Sequence, residues 1–519
     1  MHRLARLDHR FVWHPFTQMR DWLKGEPTVI VSGQGALLRD IQGKEYLDAN
    51  ASIWTNLHGH NHPKLNAALQ RQMKKIAHSS ALGLANEPAS LLAAKLVEVA
   101  NLGIYDIRFT IDATTGQSRR QSSIVNRQLT KVFYSDDGAT AMEVALKLAY
   151  EYARRTRGIR RPKFLSLQGA YHGDTMGAVS LGHIDLFHKA YAGLTFKTDT
   201  VMAPYCYRCP FNRAGPERAD ARDYRSCQWE CVDQVERQFD KQSKRGSPYA
   251  AMVVEPLIQG AAGMIPQPAG WLRRVAEIAR GHGTQLIADE VMTGFGRTGH
   301  ARPVSAIGAE KTRKREDGKL QPSRPPVSSS ARVRSSLFAC HLEGVQPDFL
   351  ALAKGMTGGY IPMAATLTTQ PVFDAFLGEY SEFKTFFHGH SFTGNQLGAA
   401  AALASIGLLE DKAAIRRREG LERTLGTLLP SLWSSPSVGD IRQVGLIAGI
   451  ELVQDWRMRK PFALKDRVGA RVCEAMARRG VLTRPIGDVV VLMPPYCTTD
   501  EQAEKMVEAL REAVREVVG

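Results

Sequence analysis

The sequence predicts an α/β fold, a mostly parallel sheet with helices on both faces, followed by a smaller α+β domain. Three observations predict it. From about residue 130 to 370, apolar strand-like runs alternate with helical patterns, as in βαβ units. From about Asp411 the pattern becomes a helix, then short strands, then a final amphipathic helix. The chain has 519 residues and 44% hydrophobic content, enough for two or more domains and a large core.

Taken in order, Val31–Asp48 reads as short strands around the turns Ser-Gly-Gln-Gly and Gln-Gly-Lys, packed by a different part of the structure. Strands are expected over Lys131–Tyr134, Lys163–Leu167, Ala251–Glu255, Gln285–Asp289 and Phe349–Ala353, with helices over Ala141–Arg155 and Trp271–Gly281. Leu397–Leu409 is the longest apolar run; it is Ala-rich, too short to span a bilayer, and reads as a buried helix. Strands over Val444–Leu452, Val481–Arg484 and Val489–Met493 build the small domain. Two polar stretches, 105–129 and 302–336, lack apolar periodicity and are expected to be disordered loops that interrupt no motif.

Composition narrows the function classes. The net charge of +16 would suggest nucleic acid or an anionic membrane. Residues 301–336 alone hold nine Lys/Arg against three Asp/Glu, which supplies +6 of that charge. No nucleic-acid motif with interleaved aromatics surrounds this segment, so a solvated basic loop is expected, with neither nucleic acid nor membrane as partner. The first ten residues show no apolar core of a secretory signal, and seven cysteines do not make a disulfide scaffold. A cytoplasmic location is expected.

The chemistry-bearing motifs come next. Leu286-Ile-Ala-Asp-Glu-Val-Met-Thr-Gly-Phe-Gly-Arg-Thr-Gly299 runs from an apolar strand into an acid pair and a Gly-rich turn, and Leu352-Ala-Lys-Gly-Met356 follows. A buried carboxylate at a strand end, Asp289, and a lysine on a later loop, Lys354, are what pyridoxal 5'-phosphate (PLP) chemistry needs: the amine forms a Schiff base and the carboxylate keeps the pyridine nitrogen protonated. Tyr134-Ser-Asp-Asp-Gly-Ala-Thr140 turns a strand into a helix, and the backbone of Gly138, Ala139 and Thr140 is placed to bind a phosphate. Gln168-Gly-Ala-Tyr-His-Gly-Asp174 puts Tyr171 on a strand-to-helix loop, where it can stack on one pyridine face while Val291 packs the other. Phe387-His-Gly-His-Ser-Phe-Thr-Gly394 is a polar Gly-rich loop.

These motifs, with Asn86-Glu87-Pro88 and Val254-Glu-Pro-Leu-Ile-Gln-Gly260, occur in one order. The chain resembles the class III, fold type I PLP-dependent aminotransferases over nearly its whole length apart from the two polar insertions. The resemblance implies a large domain with a seven-stranded sheet. It implies a division into 1–80 (small-domain segment and substrate wall), 81–370 (large PLP-binding domain) and 371–519 (inter-domain helix and small domain). It implies PLP as cofactor, Lys354 as Schiff-base lysine and proton shuttle, and Asp289 as partner of the pyridine nitrogen. Gly138 and Ala139 match phosphate-binding positions. His390 and Ser391 match phosphate contacts that the family supplies from the neighbouring subunit, so a homodimer with active sites at the interface is implied. Ile53, Trp54, Tyr171, Lys354, Gly389 and Arg484 match substrate-pocket positions.

Trp13-His-Pro-Phe-Thr-Gln18, Ser52 to Pro63, Thr357-Gly-Gly-Tyr-Ile-Pro362, Arg484-Pro-Ile-Gly and Leu492-Met-Pro-Pro-Tyr496 are similar to the branch of that family that aminates 8-amino-7-oxononanoate in biotin biosynthesis. On this reading Arg484 takes the substrate carboxylate bidentately. Other branches, acting on ornithine, 4-aminobutyrate or a diamine, would share every cofactor residue. The sequence departs from the branch's pattern where a Trp-Trp pair is Ile53-Trp54 and a Tyr is Phe16, which leaves the donor open between S-adenosyl-L-methionine and L-lysine. Separately, Cys206-Tyr-Arg-Cys209 and Cys227-Gln-Trp-Glu-Cys231 have spacing compatible with a structural Zn²⁺ site, although the expected chemistry needs no metal.

Overall fold

Strands that read as unbroken apolar runs have no polar face to offer water, so they belong in a sheet covered on both sides. The computed structural model, which describes residues 1–102, 127–300 and 336–519, places them there. In chain order the strands are β1 (Ile30–Gln34), β2 (Leu37–Asp40), β3 (Glu45–Asp48), β4 (Leu129–Ser135), β5 (Lys163–Leu167), β6 (Asp199–Val201), β7 (Tyr249–Val254), β8 (Ile258–Gln259), β9 (Ile265–Pro266), β10 (Gln285–Asp289), β11 (Phe349–Leu352), β12 (Ala364–Thr369), β13 (Val438–Val444), β14 (Ile447–Leu452), β15 (Val481–Leu482), β16 (Pro485–Ile486) and β17 (Val489–Leu492). The central sheet has seven strands in the order β4-β12-β11-β10-β7-β5-β6. β12 alone runs opposite to the other six strands, pairing antiparallel with both β4 and β11.

Helix Gly138–Arg157 buries Ala141, Val144, Ala145 and Leu148 against one face of this sheet. Helix Trp271–Gly281 packs Trp271, Leu272 and Val275 into the cluster on the other. Burying side chains of this size contributes about 1.5–3 kcal/mol each. The arrangement also positions the site. The carboxyl ends of β4, β5, β7, β10 and β11 all open at one edge, the place where α/β sheets bind ligands.

The chain's two ends build the rest. A second sheet, β1-β2-β3-β15, pairs β3 with β15 in parallel, Leu47 opposite Val481 and Asp48 opposite Leu482. The third sheet, β13-β14-β17-β16, is antiparallel and is backed by helix Val468–Arg478, on which helix Asp500–Val518 packs in turn.

Three expectations change here. Val444–Leu452 is not one strand: β13 ends at Val444 and Gly445 turns with φ +60, because a Cβ there would lie 2.2 Å from the Thr298 carbonyl carbon. The strand expected over Val481–Arg484 stops at Leu482. The polar stretches 105–129 and 302–336 lie outside the described residues save their last positions, and Leu129 already opens β4.

β13 itself had no apolar signature, since Asp440 and Arg442 sit inside it. Their burial is met by pairing. Arg442, 1% exposed, donates to Asp440 Oδ2 at 2.8 Å, to Glu451 Oε2 at 2.7 Å and to the Gly263 carbonyl. Glu451 also accepts from Arg208 Nε at 2.7 Å, which ties the 205–208 segment to this sheet.

Candidate active site

Asp289 ends β10 and is buried. Its Oδ1 accepts the Val291 N–H at 3.1 Å and its Oδ2 lies 2.7 Å from His172 Nδ1. Burial would lower the His172 pKa, but the Asp289 hydrogen bond and charge outweigh it and raise the pKa above the usual histidine value. The imidazole therefore holds a proton toward Asp289, while its buried Nε2 has no partner among the described residues. One strand over, Glu255 follows β7. Its carboxylate accepts the N–H groups of Gly260 at 2.7 Å and Tyr171 at 3.4 Å, and burial pushes its pKa up to about 7.

Lys354 follows β11 and opens a single 3-10 turn with φ +45. Burial pulls its amine below the usual lysine value, and the charges of Asp289 and Glu255 oppose that only in part. The Nζ sits 4.7 Å from the centroid of the Trp54 ring. A cation over an indole face is attracted by the ring quadrupole, so the ring steers the amine as well as covering it. Trp54 packs beside Leu257 and Ile486 on the cluster of Ile258, Met264, Met292, Val444, Ile447, Val491 and Met493, and its Nε1 donates to Asn50 Oδ1 at 2.8 Å.

The backbone beneath this indole is strained. Ala51, Ser52, Ile53 and Trp54 have φ of 44, 47, 63 and 68°, a left-handed turn of four residues that all carry a Cβ. Each such residue costs roughly 1–2 kcal/mol. The turn persists only because surrounding bonds hold it.

The helix start at Gly138 is an anion site of ordinary kind. Asp137 caps the helix, accepting the Thr140 N–H at 2.9 Å, while the Thr140 hydroxyl accepts the N–H groups of Asp136 and Asp137. Thr140, expected to share in phosphate binding, thus has both polar groups engaged in the capping box, and Gly138 and Ala139 keep N–H groups directed outward at the positive end of the helix dipole. A Cβ on Gly138 would lie 2.6 Å from Val291 Cγ1, and a Cβ on Gly173 would lie 2.4 Å from the Ala139 Cβ. Both glycines leave a cradle beside Val291.

The structure therefore gathers Lys354, Asp289, Trp54 and Tyr171, with Gly138, Ala139 and Val291 at the adjoining helix start. Tyr171 stacks on His188 with centroids 6.0 Å apart and donates its phenol to Asp174 Oδ2 at 2.8 Å. His390 pairs with Asp136 Oδ2 of its own subunit at 3.0 Å, close to the same helix. Gly389, Ser391, Ile53 and Arg484 are exposed, and among the described residues no hydrogen bond or ion pair holds Arg484.

His172 and Glu255 were missed as site residues. Both stood inside motifs already noted, and each lies just beyond the carboxyl end of a parallel strand, the signal that would have found them. The four cysteines carry free thiols, and among the described residues no three His, Cys, Asp or Glu side chains converge to hold a metal. Burial pushes Cys206 and Cys231 up to about 12, so these stay protonated, and Arg225 Nη1 donates to Cys227 Sγ at 3.0 Å.

The residues fit PLP. A bare helix start faces a cradle that any Cβ would fill, a deprotonation-prone lysine lies nearby, and a hydrogen-bonded carboxylate is set to meet a protonated ring nitrogen. Comparison with known proteins agrees. The family model for class III aminotransferases matches residues 22–307 and 333–514. The adenosylmethionine-8-amino-7-oxononanoate aminotransferase of Nitratidesulfovibrio vulgaris is 44% identical over 99% of this chain and 81% of its own length. The crystal structure of the aminotransferase of the same name from Methanocaldococcus jannaschii superposes with a TM-score of 0.80 at 35% identity, covering 99% of each chain. A PLP-bound amine transaminase from an uncultivated Pseudomonas species matches with a TM-score of 0.78 at 29% identity over 98% of each chain. The chain is a member of the class III aminotransferases, PLP-dependent enzymes of fold type I.

Proposed function

We propose that this enzyme aminates the 7-keto group of 8-amino-7-oxononanoate to give 7,8-diaminononanoate in biotin biosynthesis, with S-adenosyl-L-methionine or L-lysine as donor. The observation that carries the chemistry is Lys354, whose amine lies under Trp54 with Asp289 and Glu255 within electrostatic reach. The substrate rests on the full-length likeness to relatives bearing that name. When bound, PLP supplies an aldehyde that exchanges amines and a protonated ring that withdraws electrons.

The chain's residues do the rest. Asp289 would accept a hydrogen bond from the protonated ring nitrogen of the cofactor, and His172 Nδ1, 2.7 Å from Oδ2, orients that carboxylate. Because burial favours the neutral amine, Lys354 Nζ takes and returns a proton at lower pH than a free lysine would. Gly138 and Ala139 N–H groups hold an anion, and Val291 and Tyr171 bound the slot between them. Trp54 shields the amine from water. Arg484, on the segment after β15, is the guanidinium we assign to the substrate carboxylate.

We further propose a cytoplasmic homodimer in which the loop of His390 and Ser391 lies at the subunit interface, Ser391 facing the partner's phosphate site while His390 pairs with Asp136 of its own subunit. Phe383, Phe387 and Phe392 stand exposed around this loop, an apolar patch suited to a second copy. Light scattering on the eluting protein gives the mass that checks it.

The decisive assay offers 8-amino-7-oxononanoate or 2-oxoglutarate as amino acceptor, with each donor in turn. Turnover of the first sustains the proposal, and turnover of 2-oxoglutarate alone overturns it. Lys354→Ala is expected to lose the absorbance of lysine-bound cofactor and at least roughly 10²–10⁴-fold of the rate.

A further inference from the structure

The left-handed turn that carries Trp54 is held by a clasp of buried polar side chains. Asp48, at the carboxyl end of β3, is 3% exposed. Its Oδ1 accepts the Ser52 N–H at 3.0 Å, and its Oδ2 accepts the Ser52 hydroxyl at 2.8 Å. His60 Nε2 lies 3.0 Å from the same Oδ2. On the far side of the ring, His60 Nδ1 lies 2.9 Å from Asn56 Nδ2. Asn56 Oδ1 accepts the Gly59 N–H at 2.8 Å, which fixes which way its amide faces. Nδ1 must then accept from the amide, so His60 carries its proton on Nε2 and donates it to Asp48.

Asp48 also belongs to the ladder that leads to Arg484. β3 and β15 run in parallel, Leu47 N–H donating to the Gly480 carbonyl and Ala49 N–H to the Leu482 carbonyl, each at 2.9 Å. Arg484 is two residues further on. Asp48 is thus where the two meet: its carboxylate holds the turn over Lys354, and the backbone on either side of it holds the segment bearing Arg484.

We propose that Asp48 is a positioning residue that reads substrate length, by locking the Trp54 turn at a fixed span from the backbone segment that bears Arg484. This rests on the assignment of Trp54 and Arg484 to the substrate pocket made above. A keto acid long enough to place its carbonyl beneath Trp54 and its carboxylate at Arg484 gains both contacts; a shorter one gains one. Asn at 48 keeps an acceptor for the Ser52 N–H but turns an amide donor toward His60 Nε2–H, opening the clasp without emptying the site.

The test compares wild-type holoenzyme with Asp48→Asn on 8-amino-7-oxononanoate and on shorter keto acids. The expected result is a KM for the long acid raised about tenfold, a kcat within about twofold, and a compressed preference for length, with cofactor absorbance intact. Adding Ala51→Gly, which removes a Cβ from a left-handed position, is expected to recover about threefold of that KM, since glycine lets the turn form without the clasp. Should Asp48→Asn fail to fold, Ser52→Ala takes its place, with an expected KM rise of about threefold. An unchanged KM and length preference overturns the proposal, as does a parallel fall in kcat and cofactor content that Ala51→Gly does not recover. Wild-type enzyme inactive on 8-amino-7-oxononanoate overturns the substrate assignment instead, while the clasp is still judged by the variant's KM on whichever keto acid the wild type accepts.

Discussion

The Glu255 carboxyl gives up its proton only near neutral pH, and replacing it with glutamine should show as a change in the pH dependence of stability. Burial raises its pKa from 4.5 to about 7. A carboxyl whose folded pKa is raised favours the folded state below the unfolded pKa and loses that contribution as pH rises through the folded one. The span is about 2.5 units, so the loss on moving from acid to above pH 7 is about 3 kcal/mol at 1.36 kcal/mol per unit. For a chain of 519 residues, at about 2.1 cal/mol/K of unfolding entropy per residue, this corresponds to roughly 3 °C in Tm. Glu255→Gln cannot titrate. It also disturbs the bonds to the Gly260 and Tyr171 N–H groups, but that cost does not vary with pH and drops out of the trend. The assay is the Tm of wild type and variant from about pH 5 to about pH 8, followed by circular dichroism. Because that range begins above the unfolded pKa, the variant is expected to gain about 2 °C of the full shift on the wild type across it. A gap that stays flat, or a variant that falls behind with rising pH, would refute the assignment of a protonated Glu255.

Two further outcomes follow from packing. Gly138→Ala drives a Cβ to 2.6 Å from Val291 Cγ1, and a valine cannot rotate away freely, so overpacking of about 1–3 kcal/mol is expected beside the phosphate cradle. Titration of apo-protein with PLP should show affinity weakened about tenfold; unweakened binding would remove Gly138 from the cradle. Arg442→Met leaves the Asp440 and Glu451 carboxylates buried without their shared cation, which should cost about 3–5 kcal/mol in denaturant unfolding, and a loss below about 1 kcal/mol would mean water or Arg208 compensates.

The parallel sheet was legible because its strands are buried on both faces, so apolar runs such as Lys163–Leu167 and Gln285–Asp289 announce themselves with their observed bounds. β13 was not, because its Asp440 and Arg442 are buried by pairing with Glu451, and a lone sequence shows the charges without the partners. In the site, Asp289 and Lys354 stood out as residue types at telling places along the chain. His172 and Glu255 did not, since their roles depend on a 2.7 Å approach to Asp289 and on desolvation, which arise only when neighbouring strand ends are brought to one edge.

The sequence by itself determined the α/β layering, the family and its cofactor, because apolar periodicity and ordered motifs are local properties of the chain. Only the tertiary structure decided that His172 lies 2.7 Å from Asp289. It alone revealed that Trp54 sits on a left-handed turn clasped by Asp48 and His60. The parallel pairing of β3 with β15, which binds that turn to the segment of Arg484, likewise appears only in three dimensions. Those facts join residues up to some 430 positions apart, Ala49 to Leu482, and contacts at such separation come from packing and hydrogen bonding in the folded state rather than from local preference.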